Sequence, residues 1–509
     1  MLDGYAKRAA LGERAYEVTR DGTTGRSRRE FLSRFDTITY DELHSRVKGI
    51  ANAWRAGAYR VGSGEFVCVL GFAGIDFASI ELACAYAHAV CVPLQTSLAG
   101  ADLDGIFTDI EPVAVATAID DLPRAVELAA RHKSIRSIVV FDVDTRIDEH
   151  HELYAAARHE LAQNDSAPLL VTLDDLVALG ALETFELLAL SPDGNKRTAL
   201  IIYSSGSTGT PKGVIYTEHM LTSMAWTPGS PRIPVVRISL APMNHMMARS
   251  TVFNTLVSGG TVNFAATSDL STMFEDVQLT RPTDFRVFPR VLEIVYRHYL
   301  GEVARRVSIE GLSRAQAEVE AMEAMRHTLL GNRVVQISVS SAPTTPEIMR
   351  FTRECFDVPI TNSYGSTESG RVTSNDRIVR PPVIDYRLRD VPELGYYVTD
   401  KPYPRGELCV KTTTGTPGYV KRPDLTARLY DADGFLAMGD IVEERQPDHI
   451  VYIDRRNDVL KLSHGEFVAI GALGTKFENE SAVIEQIFVH GNSAYSFLVA
   501  VIVPNMTVV

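Results

Sequence analysis

A chain of 509 residues is too long for one compact core, so two to four packed units are expected. With 45% hydrophobic and 23% charged residues it has the composition of an ordinary globular protein. The 51 basic and 64 acidic side chains leave a formal charge of −13, which argues against a nucleic-acid surface built on a clustered basic stripe.

The first residues mix charges with apolar side chains and lack a signal-peptide core, which points to the cytoplasm. Phe66–Leu70 reads as a buried strand, and 75–89 follow with helical spacing. The five cysteines, Cys68, Cys84, Cys91, Cys355 and Cys409, have no metal-ligand spacing and read as small buried hydrophobes. The runs 137–141 and 169–173 are again strand-like. Continuous apolar strands separated by helices predict an α/β fold with sheets covered on both faces.

Farther along, the polar turn-formers at 191–197 predict a surface connection. The strand 198–203 follows at once and runs into a Gly/Ser/Thr loop, and 214–217 resume an extended pattern. Residues 301–327, rich in Glu, Arg and Ala, read as one or two exposed helices. Short strands among Gly, Thr and Pro at 406–440 suggest a small β-rich subdomain. A composition shift near Asp454 leaves 55 residues from Arg455 to Val509, few for an independent domain. The apolar run 497–503 is far too short to span a bilayer and is expected as a buried strand.

The loop at 204–213 has the ingredients of a phosphate cradle. Ser204, Ser205, Ser207, Thr208 and Thr210 supply hydroxyl donors, Gly206, Gly209 and Gly213 free the backbone, and Lys212 adds charge. It is not a Walker loop, because Pro211 precedes the lysine and Gly213 follows it. Three further motifs follow in order: Tyr364-Gly365-Ser366-Thr367-Glu368, Gly439-Asp440, and Asp454-Arg455-Arg456-Asn457-Asp458.

Together these four motifs resemble the adenylate-forming superfamily, which includes acyl-CoA synthetases, adenylation domains of peptide synthetases and luciferases. The segments 268–272, 281–283, 380–386, 390–396, 404–408, 460–468 and 489–493 are similar to the adenylation domain of carboxylic acid reductases. The resemblance implies an α/β adenylate-forming fold: a large N-terminal core of two helix-covered sheets over 1–454, with a β-rich subdomain at about 385–454. The start of a C-terminal lid would occupy 455–509. It implies ATP- and Mg²⁺-dependent conversion of a carboxylic acid into an acyl-adenylate, with pyrophosphate released. In a full-length reductase the acyl group would then pass to a carrier thiol and be reduced by NADPH.

By the same resemblance, Ser204, Ser205, Gly206, Ser207, Thr208, Gly209 and Lys212 would hold the phosphates. Ser341, Ala342 and Pro343 would line the adenine and acyl pockets. Tyr364 offers a flat face to adenine, beside Gly365 and Ser366, and Thr367 would contact the α-phosphate. Glu368 would bind Mg²⁺, a hard cation that prefers carboxylate oxygen. Asp440 would accept from the ribose hydroxyls. Arg455 or Arg456 would reach ribose or phosphate, the resemblance favouring Arg455, and Lys461 joins the nucleotide-binding set. His245, in Pro242-Met243-Asn244-His245, would stand beside the acid's carboxylate. The expected partners are a small carboxylic acid and a phosphopantetheine or CoA thiol, with no nucleic acid and no membrane.

The pattern breaks at several points. Ser204 stands for a more usual threonine, Ser340 for a glycine, and Met438 for a small hydroxyl residue. Residues 468–474 lack the expected Lys and Glu, and their two glycines weaken a helix. The chain ends before the stretch expected to carry the lid's catalytic lysine, as would a piece of a multidomain reductase or a short protein with a vestigial lid. A stand-alone acyl-CoA ligase and a nucleotide-binding remnant without turnover are the alternatives.

Overall fold

The computed structural model describes residues 3–164, 167–183, 196–204, 211–225, 233–342, 344–461, 467–470, 473–474, 476–477, 481, 483–491 and 497–504. The chain divides into two compact units, one of residues 1–361 with 416–423, the other of 362–415 with 424–509.

In the first unit the apolar runs become the interior of a seven-stranded sheet. Its spatial order is Leu169–Thr172, Ser137–Phe141, Ala114–Ala118, Phe66–Leu70, Val90–Leu94, Thr198–Ser204 and Lys212–Thr217. Neighbours run parallel until the last pair, which is antiparallel. Both faces are covered, as a non-alternating apolar strand requires. Val67 and Val69 join one core with Trp54 and Phe77, while Cys68 and Leu70 join the opposite one with Phe107 and Ile138. Each such side chain contributes about 1.5–3 kcal/mol by leaving water. All five cysteines are buried and free.

Helix Tyr40–Arg55 starts at a capping box in which Thr39 and Glu42 satisfy each other's backbone N–H. Helix Ile75–Ala87 follows strand Phe66–Leu70, as its spacing predicts, and ends at His88 in the left-handed region (φ 57°). A second sheet orders Val236–Ser239, Thr261–Phe264, Ala9–Arg20 and Ser27–Thr39. A third core gathers around the parallel strands Asp284–Val287 and Gln336–Ser340.

The helices read at 301–327 begin earlier and are less exposed than expected. They are Pro289–Ile309 and Arg314–Ala324, followed by a π turn at Met325–Leu329. Val291, Leu292, Val295, Tyr299, Val303, Ala317 and Ala321 are buried along their inner faces. The charged composition masks this narrow apolar stripe.

The second unit is β-rich. Strand Val383–Arg389 pairs antiparallel with Arg405–Thr412, that with Leu436–Gln446, and that with His449–Arg455. Val372, Val383, Leu408, Val410, Leu436, Val442 and Ile450 form its core, against which Met438 packs. The expected strand near the end exists as Leu498–Pro504, but it is not buried. Val499, Val501 and Ile502 are exposed, because among the described residues the strand pairs only with Ile484–Gly491. Apolar composition marks the strand, but not whether another layer covers it. Among the described residues no helix is long and apolar enough to cross a membrane.

Candidate active site

In the first unit the candidate phosphate loop is carried by a strand–loop–strand hairpin. Strands Thr198–Ser204 and Lys212–Thr217 pair antiparallel with Ser204 opposite Lys212, so the two ends of the loop meet. Ser205, Gly206, Ser207, Thr208, Gly209 and Thr210 lie outside the described residues, as do residues 191–195 of the polar turn cluster. The hairpin is buttressed by 416–423. Val420 N–H donates to the Gly213 carbonyl at 2.9 Å, Ile215 N–H to Gly418 at 3.1 Å, and Thr416 Oγ1 to Ile215 at 2.7 Å. No side chain fits at Gly213, since a Cβ would sit 2.5 Å from Val420 Cγ1. The Lys212 ammonium lies 5.9 Å from the centre of the Tyr419 ring, within reach of a cation–π contact. Tyr419 is a neighbour that reasoning along the sequence missed, being 207 positions away.

His245 caps helix Met246–Val257 with extended backbone (φ −108°, ψ 140°). Its N–H donates to the Pro242 carbonyl at 3.1 Å, closing a tight turn. The ring keeps contact with solvent, but the surrounding protein removes enough water to push its pKa below the ordinary histidine value, favouring neutral imidazole. Strand Gln336–Ser340 ends at half-buried Ser340 and delivers Ser341 with φ 83°, an uncommon conformation for a residue with a Cβ. Ser341 Oγ reaches Met247 Sδ at 3.9 Å, bringing the 341–342 segment against the helix that His245 caps. Ala342 is exposed beside it, and Pro343 lies outside the described residues.

In the second unit the motif 364–368 forms the end of a hairpin. Strands Ile360–Ser366 and Gly370–Ser374 pair antiparallel, and Thr367, Glu368 and Ser369 make the turn. Buried Ser369 staples it: Ser366 N–H donates to Ser369 Oγ at 3.2 Å, and Ser369 N–H to Ser366 Oγ at 3.1 Å. Gly365 is required by close approach, because a Cβ there would lie 2.1 Å from the Gly370 carbonyl oxygen. The turn thus presents half-buried Thr367 and Glu368 on a rigid base.

The candidate ribose residue Asp440 sits on strand Leu436–Gln446, only 3% exposed, after Gly439 with φ 73°. It accepts the Tyr364 hydroxyl at 2.5 Å, so the candidate adenine and ribose residues are joined directly. Burial, and then the Asp440 charge, push the Tyr364 phenol well above its ordinary pKa, keeping it a neutral donor. Arg455 is paired across the sheet with Asp440 and brings Nε to 3.4 Å from Oδ1. Arg456 points elsewhere: it donates to Glu407 Oε2 at 2.8 Å and pairs with Glu393. Lys461 ends strand Val459–Lys461.

A comparison with family models matches the AMP-binding enzyme family over residues 19–420. The carboxylic acid reductase of Mycobacterium tuberculosis is 43% identical over 514 residues, covering 99% of this chain and 43% of that protein. The chain therefore spans less than half the length of that relative. The crystal structure of the adenylation domain of a carboxylate reductase from Mycobacterium chelonae superposes with a TM-score of 0.94 at 39% identity, covering 99% of this chain and 78% of that one. The adenylation domain of the reductase from Segniliparus rugosus, in complex with AMP and a co-purified carboxylic acid, gives 0.92 at 40%, with 99% and 81% covered. The chain belongs to the AMP-binding enzymes and, among them, to the adenylation domains of carboxylic acid reductases.

Proposed function

We propose that the chain activates a carboxylic acid with ATP, as the first stage of a carboxylic acid reductase. The acid's carboxylate attacks the α-phosphorus, the bond to the bridging oxygen breaks, and acyl-adenylate and pyrophosphate result. Two anions must approach, so charge screening and orientation are the main demands on the protein. Asp440 carries this reading. A buried carboxylate held by a neutral phenol and facing a guanidinium suits a ribose diol, whose hydroxyls donate to the acid group while Arg455 remains for phosphate. Arg456, engaged by Glu407 and Glu393, is poorly placed for that role.

Lys212 and the hydroxyls that begin at Ser204 would hold the β- and γ-phosphates, and Thr367 the α-phosphate. Ser341 and Ala342 would line the adenine and acyl pockets. Among the described residues no three His, Cys, Asp or Glu side chains are grouped to cage a metal. A single carboxylate, Glu368, fits Mg²⁺ that arrives coordinated mostly by nucleotide phosphates. Bound there, the ion would screen phosphate charge. A neutral His245 would donate one ring N–H to the acid's carboxylate, orienting it without locking it in an ion pair. The proposed acceptor of the acyl group is the phosphopantetheine thiol of a carrier domain, with NADPH-dependent reduction in a further domain, and the proposed hinge follows Asp454.

The test is pyrophosphate release with ATP and a panel of aromatic, medium-chain and amino acids, comparing wild type with Asp440→Asn. Acid-dependent release, and a rise of roughly tenfold or more in KM for ATP in the variant, are expected. Tight ATP binding with no release on any acid would overturn the reading.

A further inference from the structure

The turn that carries His245 is tied to the protein core by a side chain without an assigned role. Arg249 lies one helical turn beyond His245 and is 2% exposed, a rare position for a guanidinium. Its Nη1 donates to the Met243 carbonyl at 3.3 Å, inside the Pro242–His245 turn. Its Nη2 pairs with Glu81 on helix Ile75–Ala87, itself 7% exposed. Phe253 closes the guanidinium off at 5.9 Å, and Cys84 lies one turn along from Glu81.

Packing alone does not account for this pair. Glu81 Oε2 and Arg249 Nε are buried without hydrogen-bond partners. Apolar residues of similar volume at such sites are often as stable or more so. The arrangement does something apolar residues cannot: it puts a fixed donor on the carbonyl two residues before His245. We propose that the buried Arg249–Glu81 pair is a positioning device that fixes the Pro242–His245 turn and so aims the His245 imidazole at the acid's carboxylate. Glu81 anchors Arg249, Arg249 anchors Met243, and the turn leaves His245 little backbone freedom. The inference rests on the role given to His245 above.

The test compares wild type with the double variant Glu81→Leu/Arg249→Met and the single variant Glu81→Gln. For each, the melting temperature and the separate KM values for acid and ATP are measured in the pyrophosphate assay. In the double variant the melting temperature should hold, the KM for ATP should stay constant, and kcat/KM for the acid should fall roughly tenfold to a hundredfold. Glu81→Gln, which keeps Arg249 on Met243, should lose less. A second readout does not need turnover. The ¹⁵N-labelled His245 ring, identified by its loss in His245→Gln, should titrate closer to the ordinary histidine value once the turn loosens and water enters.

Unchanged acid kinetics and an unchanged His245 titration in a stable double variant would overturn the proposal. So would equal losses toward acid and ATP with a lowered melting temperature. If the double variant does not fold, the same two measurements on Arg249→Lys decide, since it keeps a positive charge beside Glu81 and removes the guanidinium donor to Met243. Acid kinetics indifferent to His245→Ala would instead overturn the role given to His245, while the ring titration still reports on the pair.

Discussion

Asp440 is a buried carboxylate that accepts the Tyr364 hydroxyl and faces the Arg455 guanidinium. Gly439-Asp440 is legible as a motif, but its partner Tyr364 stands 76 positions earlier and Arg455 15 later. The choice between Arg455 and Arg456 depends on Glu407 and Glu393, whose pairing with Arg456 is a property of the folded sheet. Tyr364→Phe should keep the ring face and lose the 2.5 Å bond. A cost of about 1 kcal/mol, seen as a severalfold higher KM for ATP, is expected. An unchanged KM would show that the phenol does not help hold Asp440 in its binding position. A second residue-scale prediction concerns Glu13, whose pKa burial and the neighbouring Asp76 raise to about 7, against the backbone N–H of Ile75 and the charges of Arg29 and Arg46. The folded state therefore binds more protons than the unfolded one between the ordinary glutamate pKa and about 7, so stability should fall as pH rises through that window. Glu13→Gln should flatten this slope and raise the melting temperature at pH 8 relative to wild type. Thermal melts across pH 5 to 8 check it, and parallel curves for the two proteins would contradict it.

At the scale of elements, legibility follows the strength of the local signal. Phe66–Leu70 and Ser137–Phe141 have the bounds read from the sequence, because uninterrupted apolar β-branched runs between turns leave few alternatives. The long hairpin Ala9–Arg20 and Ser27–Thr39 has no clear sequence signal, since its second strand carries many charges and is mostly uncovered. The apolar run predicts strand Leu498–Pro504 but not its exposure, because covering depends on what packs against it. Close approaches between elements are equally silent in sequence. Gly180, on helix Leu173–Ala181, faces Gly49 of helix Tyr40–Arg55, and a Cβ there would lie 1.7 Å from the Gly49 carbonyl oxygen. Gly180→Ala should force the helices apart and cost roughly 1–3 kcal/mol, read as a lower denaturation midpoint. Gly365→Ala acts on a different element, prying open the hairpin that presents Thr367 and Glu368. It should lower kcat more than it lowers the melting temperature, and full activity would show that the turn is not held as rigidly as the Gly370 contact implies.

For the whole molecule, the mostly parallel seven-stranded sheet and the β-rich unit belong to the α/β adenylate-forming fold. The α/β class was legible in the alternation of apolar strands and helices, and the adenylate-forming fold through the resemblance carried by four short motifs in order. The acid was not legible, because a pocket is assembled from residues scattered over many elements. The central claim is that the hairpin bearing Ser204 and Lys212 holds ATP while a carboxylate attacks. The most direct measurement is acid-dependent pyrophosphate release by wild type and Lys212→Ala at saturating acid. The account predicts release that requires the acid and falls roughly a hundredfold in the variant, as for loss of one charge-stabilising donor. An equal rate in the two proteins would contradict it.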